Sequence, residues 1–354
     1  MSSSPFTGAI YSIVLSISKL VASGVPVESI RLSLQEFFKK LGKDPVRWGE
    51  PLSALLGAMY AQINLGVGAI GGKDSMSGSF EHIDVPPTLI SFAMGITKAD
   101  KLISNTFEEN AARRIYRIAL PRDSHGIPIF ARVLKLYKSL YKAIQCGDVV
   151  ACNVVEEGGA VCAVIKSCMG NMLGTTWKEI KEDMFNPSFG DFVVLTKDVS
   201  KLRSFKPEYI CKLNGTHSFV VGKDNDDSVK IKMSDLSRAF TSPMEEVFPS
   251  TSYSDGEVRN LICCAIKRKS SHSGLVKPRV LIPVFPGTNC EYDTARAFER
   301  AGAVAQTLII KNQSPSDIED SVKALIKALE NSQILAFPGG FSGGDEPDGS
   351  GKFI

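Results

Sequence analysis

Histidine and tryptophan are scarce in this sequence, at four and two copies in 354 residues. The four histidines, His82, His125, His217 and His272, stand far apart without metal-ligand spacing, which removes the usual zinc arrangements from consideration. Neither sign of charge dominates. Forty-one basic against thirty-eight acidic residues leave a net +3, scattered along the chain, which argues against electrostatic capture of nucleic acid. Eight cysteines lack a repeated CxxC spacing, and several sit in apolar runs, as expected of a reduced, cytoplasmic protein. The N-terminus has no basic signal-peptide region, and no apolar run approaches the roughly eighteen residues of a membrane span.

What remains is ordinary globular material, 44% hydrophobic and 22% charged, in a chain long enough for two or three domains. Residues 8–23 read as an apolar helix. Ile30, Leu34, Phe37, Phe38 and Leu41 fit one stripe of a 3.6-residue period and predict a second helix over 27–41. A third follows, with Leu52, Leu55, Leu56, Met59 and Ile63 on one face and Pro51 in its first turn. The period then changes. Residues 66–72 and 88–96 read as buried strands, 112–119 as a strand, 130–144 as a helix, and 149–155 as a strand leading into a small-residue helix.

Residues 267–274 are polar and mark a linker. Beyond it, strands over 279–285, 304–310 and 333–337 alternate with helices over 291–301 and 314–330, the opening of a doubly wound parallel sheet. Its three strands leave a hydrophobic edge to cover.

Three loops carry groups suited to chemistry. Gly71, Gly72, Lys73, Asp74 and Ser75 combine close-approach backbone with an ammonium, a carboxylate and a hydroxyl, groups that an anionic phosphate and its Mg²⁺ use. The P-loop order is absent, and a plain glycine turn is the competing reading. Gly339 and Gly340 lie at a strand's carboxyl end, where turned N–H groups can face an oxyanion, though a tight turn without a ligand has the same residues. Phe285 to Glu291 forms the equivalent loop of the first strand. Its Cys290 is not read as a nucleophile, because no histidine follows His272 to serve as base. Glu156 and Glu157 precede a helix and read as a solvated pair favoured by the helix dipole.

The segments Gly71-Gly-Lys-Asp-Ser-Met-Ser, Phe37-Phe-Lys-Lys-Leu-Gly-Lys-Asp-Pro-Val-Arg-Trp48, Phe285-Pro-Gly-Thr-Asn-Cys-Glu and Phe337-Pro-Gly-Gly-Phe-Ser-Gly-Gly-Asp-Glu-Pro-Asp348 resemble, in family order, phosphoribosylformylglycinamidine synthase. The resemblance implies an α+β and α/β chain. Residues 1–105 and 106–265 would be the two halves of an aminoimidazole-ribonucleotide-synthetase-like unit, 266–275 a linker, and 276–354 the start of a class I, flavodoxin-like glutaminase domain. It also implies ATP and Mg²⁺ as cofactors, glutamine and formylglycinamide ribonucleotide as substrates, and partners neither nucleic acid nor membrane. Gly339, Gly340 and Phe341 would form the oxyanion hole, and Gly71, Gly72, Lys73, Asp74 and Ser75 would face phosphate.

The family's first synthetase unit and the nucleophilic cysteine with its histidine and glutamate partners are expected outside these residues, so the chain alone is expected to be inactive. The family also holds an auxiliary Mg²⁺–nucleotide between a helix glutamate and a later aspartate. Here Leu15 or Ser16 stands near the first position, and the later turn reads Val154 to Gly159. The alternative to an enzyme fragment is a non-catalytic nucleotide-binding or scaffolding subunit.

Overall fold

A computed structural model describes residues 4–109, 114–222, 228–251 and 276–339. The chain divides into two compact units, Met1–Tyr253 and Ser254–Ile354. The expected linker, 266–275, lies outside the described residues.

In the first unit, α1 (Pro5–Ala22) starts where the Ser4 hydroxyl accepts from the Thr7 N–H, with Pro5 in the first turn. Ile10, Ile13, Val14, Ile17 and Val21 recur at helical spacing and are buried, packed toward α2 (Pro45–Leu65), α3 (Phe130–Gln145), β5 (Thr88–Met94) and β7 (Val149–Val154). By length and hydropathy α1 could cross a membrane, which corrects the expectation that no segment approaches that length. Its apolar side chains instead form the centre of the unit's core.

The helix expected over 27–41 is a short 3₁₀ turn, Val27–Ser29, followed by strand β1 (Arg31–Phe37). Ile30, Leu32 and Leu34 also alternate with period two, and ladders on both sides select that period. β1 runs parallel to β2 (Ala69–Ser75) and antiparallel to β5. The expected buried strand over 66–72 is therefore an exposed edge strand shifted toward its C-terminus, and the Gly71–Ser75 motif lies within it rather than in a following loop.

Helix α2 begins six residues before the expected first-turn proline, capped by Asp44, and Pro51 lies inside it. Its apolar stripe faces away from the core: Leu52 is 57% exposed and Ile63 67%. The buried side is Ala54, Gly57, Ala58 and Ala61, whose small size lets α2 approach α1. A Cβ on Gly57 would stand 2.1 Å from the Phe6 carbonyl oxygen.

After a two-strand hairpin, β3 (Ser79–Phe80) and β4 (Ile83–Asp84), and β5, the chain builds a seven-stranded sheet. It uses β6 (Arg114–Ile118), β7, β8 (Gly174–Trp177), β9 (Phe192–Thr196), β10 (Glu208–Asn214), β11 (Ser218–Val221) and β12 (Val229–Lys232), in the order β12-β11-β8-β10-β6-β9-β7. Core side chains of α1 and α3 pack on one face. Those of α4 (Gly159–Met169) pack on the other, with Trp177 buried there, while α5 (Met233–Thr241) follows β12.

The second unit is β13 (Arg279–Val284), α6 (Glu291–Arg300), β14 (Val304–Ile309), α7 (Pro315–Glu330) and β15 (Ile334–Leu335). The strands are parallel, as crossover helices between them require, and their order β14-β13-β15 puts the first strand at the centre.

Candidate functional site

β2 and β1 place the polar motif. Pairing sets Gly72 beside Leu34, Lys73 beside Gln35 and Asp74 beside Glu36. Gly72 is needed for this approach, since a Cβ there would lie 2.3 Å from the Leu34 carbonyl oxygen. Gly72, Lys73, Asp74 and Glu36, with Leu55 and Leu89, line a cleft of about 200 Å³. Burial, and then the neighbouring Asp74 carboxylate, hold the Glu36 pKa above its ordinary value. Strand register puts the Asp74 and Glu36 carboxylates on the same face, a pair that fits a hydrated divalent cation with an attached phosphate, while Lys73, one residue before Asp74 in the strand, lines the cleft beside them. Glu36 carries no sequence signal for this place, because its segment reads as helix.

At the end of β7, Glu156 is not a merely solvated acid. Its carboxylate lies 2.7 Å from the Lys19 ammonium in the last turn of α1, while Glu157 is exposed. The pair borders a polar cavity of about 420 Å³ with Ser23, Ser104, Asn105 and Asn153.

A further polar cluster has no local sequence signal. Asp191, fully buried, accepts from Arg117 Nε at 3.1 Å, Arg122 at 2.7 Å and the Leu120 N–H at 3.0 Å. Arg122 also donates to the Tyr11 hydroxyl at 2.9 Å, tying α1 to the second sheet's loops. Burial opposes the Arg122 charge, but Asp191 and Tyr11 outweigh it and its pKa is raised.

In the second unit the loops after β13 and β15 meet: the Asn289 N–H donates to the Gly339 carbonyl at 2.8 Å. Both lie at carboxyl ends of parallel strands, the customary ligand edge of such sheets. Cys290 is exposed and left-handed, φ 68°, at the start of α6. Gly340 and Phe341, the other expected oxyanion-hole residues, lie outside the described residues. Among the described residues no group of three or more His, Cys, Asp or Glu side chains could hold a metal.

A family model for a CobB/CobQ-like glutamine amidotransferase domain matches residues 277–354. PurQ, a phosphoribosylformylglycinamidine synthase subunit, from Methanococcus maripaludis is 42% identical over 77 residues, 22% of this chain and 25% of its own length. The Dehalococcoides mccartyi PurQ is 37% identical over 78 residues, 22% of this chain and 27% of its own. Among solved structures, Thermotoga maritima PurL complexed with AMPPCP aligns with a TM-score of 0.53 at 14% identity, covering 73% of this chain and 44% of PurL. PurLQS from the same organism aligns at 0.51 and 14%, covering 73% and 45%.

The chain therefore spans about a quarter of the curated relatives and under half of the solved chains, and at 14% identity the structural likeness concerns the fold. That fold is the PurL type, aminoimidazole-ribonucleotide-synthetase-like and mixed α/β, followed by the amidotransferase segment. The joining of these two parts in one polypeptide relates this chain to phosphoribosylformylglycinamidine synthase.

Proposed function

We propose that the chain is part of a phosphoribosylformylglycinamidine synthase, a cytoplasmic carbon–nitrogen ligase of de novo purine biosynthesis. The reaction converts formylglycinamide ribonucleotide, ATP and glutamine to formylglycinamidine ribonucleotide, ADP, phosphate and glutamate. One observation carries this reading: a glutamine amidotransferase segment follows a PurL fold in the same polypeptide.

In this reading residues 1–105 and 106–265 are the halves of a synthetase-like unit, 266–275 joins them to the glutaminase, and 276–354 opens that domain. Gly339, Gly340 and Phe341 would supply N–H groups to the oxyanion formed when glutamine is attacked, the latter two lying outside the described residues. Within 276–354, Cys290 is the sole cysteine and histidine is absent, so these residues contain no cysteine–histidine pair. The nucleophile and its base belong to the rest of the glutaminase domain, the ATP and substrate sites largely to the first synthetase unit, and the isolated chain does not turn over. Assembly with further synthase subunits, as the name PurLQS describes for the Thermotoga structure, belongs to the same proposal.

At the β1–β2 cleft, Lys73 and the backbone of Gly71, Gly72 and Ser75 would meet nucleotide phosphate, and Asp74 with Glu36 would hold Mg²⁺. The ion would offset the charge of phosphate oxygens beside two carboxylates. The cleft admits a phosphate and its ion rather than a whole nucleotide, so the base and ribose lie outside it.

The test is an assay of the complete encoded protein for glutamine-dependent formation of the amidine, with ADP release measured in parallel. Amidine formation by the complete protein, absent from residues 1–354 alone, supports the reading. Nucleotide binding without any amidine product would favour the non-catalytic subunit.

A further inference from the structure

We propose that the Lys19 ammonium takes the place of a divalent cation where α1 meets the end of β7, so that this junction is held without metal. The fold family implies an auxiliary Mg²⁺–nucleotide here, and the donor set does not fit one. Mg²⁺ asks for about six hard oxygens in octahedral array, usually including one or two carboxylates beside phosphate and water.

The residues at and next to the two positions where the family supplies acids are apolar or hydrogen-bonded elsewhere. Leu15 lines an apolar cleft with Tyr11, Leu89 and Phe189. The Ser16 hydroxyl lies 2.8 Å from that of Ser91 and donates to the Ile13 carbonyl at 3.0 Å. Val154, the last residue of β7, is buried. The Asn153 amide donates to Ser167 Oγ at 3.0 Å, and its oxygen accepts from the Val154 N–H at 2.9 Å. Burial raises the Cys152 pKa far above its ordinary value, so it offers a neutral thiol rather than a thiolate.

Glu156 is the one carboxylate lining the junction cavity, and Lys19 already sits 2.7 Å from it. Lys19 also lies in the last turn of α1, where the helix dipole favours positive charge. A single ammonium therefore neutralises both the carboxylate and the helix end, the electrostatic task a bound cation would perform.

The test compares thermal midpoints of the full chain with EDTA and with Mg²⁺, without nucleotide. Wild type and Glu156→Gln should respond alike, because any Mg²⁺ effect at Asp74 is common to both. Lys19→Glu sets two carboxylates against each other across the junction. Its midpoint should fall, and Mg²⁺ should recover roughly 2–4 °C, equivalent to about 1 kcal/mol in a unit of this size. The recovery should vanish in Lys19→Glu/Glu156→Gln. If Lys19→Glu does not fold, Lys19→Met should show a smaller recovery with the same dependence on Glu156. Two results overturn the proposal: a Mg²⁺ stabilisation of wild type that Glu156→Gln removes and Asp74→Asn retains, or no Mg²⁺ response in any Lys19 variant.

Discussion

Removing the Asp191 carboxylate should cost the first unit a large part of its stability. Asp191→Ala deprives Arg117 and Arg122, whose side chains are only 14% and 24% exposed, of their shared counter-ion, and it leaves the Leu120 N–H without its acceptor. Breaking a buried ion pair from one side costs about 3–5 kcal/mol. Partial access of both guanidinium groups to water, and the bond from Arg117 to Ser188 at 3.1 Å, place this case at the lower end, about 3 kcal/mol. For a unit of this size that is a fall of roughly 10 °C in the unfolding midpoint. Asp191→Asn keeps an oxygen acceptor and should lose about half as much. Urea unfolding followed by fluorescence of the buried Trp177 measures both. A loss below about 1 kcal/mol for Asp191→Ala, or equal losses for the two variants, would refute the reasoning.

Two further outcomes follow from the first sheet and its helices. Because the Glu36 pKa is raised, the folded state binds that proton more tightly than the unfolded chain; stability should rise as pH falls through the raised value and level off near the ordinary 4.5. Glu36→Gln should flatten this part of the profile and raise the midpoint at neutral pH, whereas an unchanged slope in thermal melts would assign the effect elsewhere. Gly57→Ala gains about 1 kcal/mol of helix propensity, yet it drives a Cβ to 2.1 Å from the Phe6 carbonyl oxygen. We predict a net loss of about 1–3 kcal/mol in urea unfolding, and a stabilised variant would show that the α1–α2 contact yields easily.

Sequence periodicity reveals elements whose alternatives are weak. α1, α3 and the alternation from β13 to β15 are legible because apolar spacing and length agree, with serine caps at Ser4 and Ser314 marking the starts of α1 and α7. Over 30–38 two periods coexist, and the choice rests on partners at 69–75 and 88–94 that no local window contains. The apolar stripe of α2 is readable, but which side faces inward is decided by the room Gly57 and three alanines leave for α1. Site residues divide the same way. The Gly71–Ser75 run stands out by composition, whereas Glu36 joins it only through strand register, and Lys19 meets Glu156 only when α1 packs beside β7. Arg117, Arg122 and Asp191 are individually unremarkable in sequence and become a cluster only in the folded sheet.

Phosphate chemistry at β2 is tested most directly by calorimetric titration of the full chain with ADP and ATP, with and without Mg²⁺. Saturable Mg²⁺-dependent binding that Asp74→Ala abolishes is the predicted result. Binding that survives Asp74→Ala, or no binding to the folded wild type, would contradict it and make Gly71–Ser75 a structural edge strand.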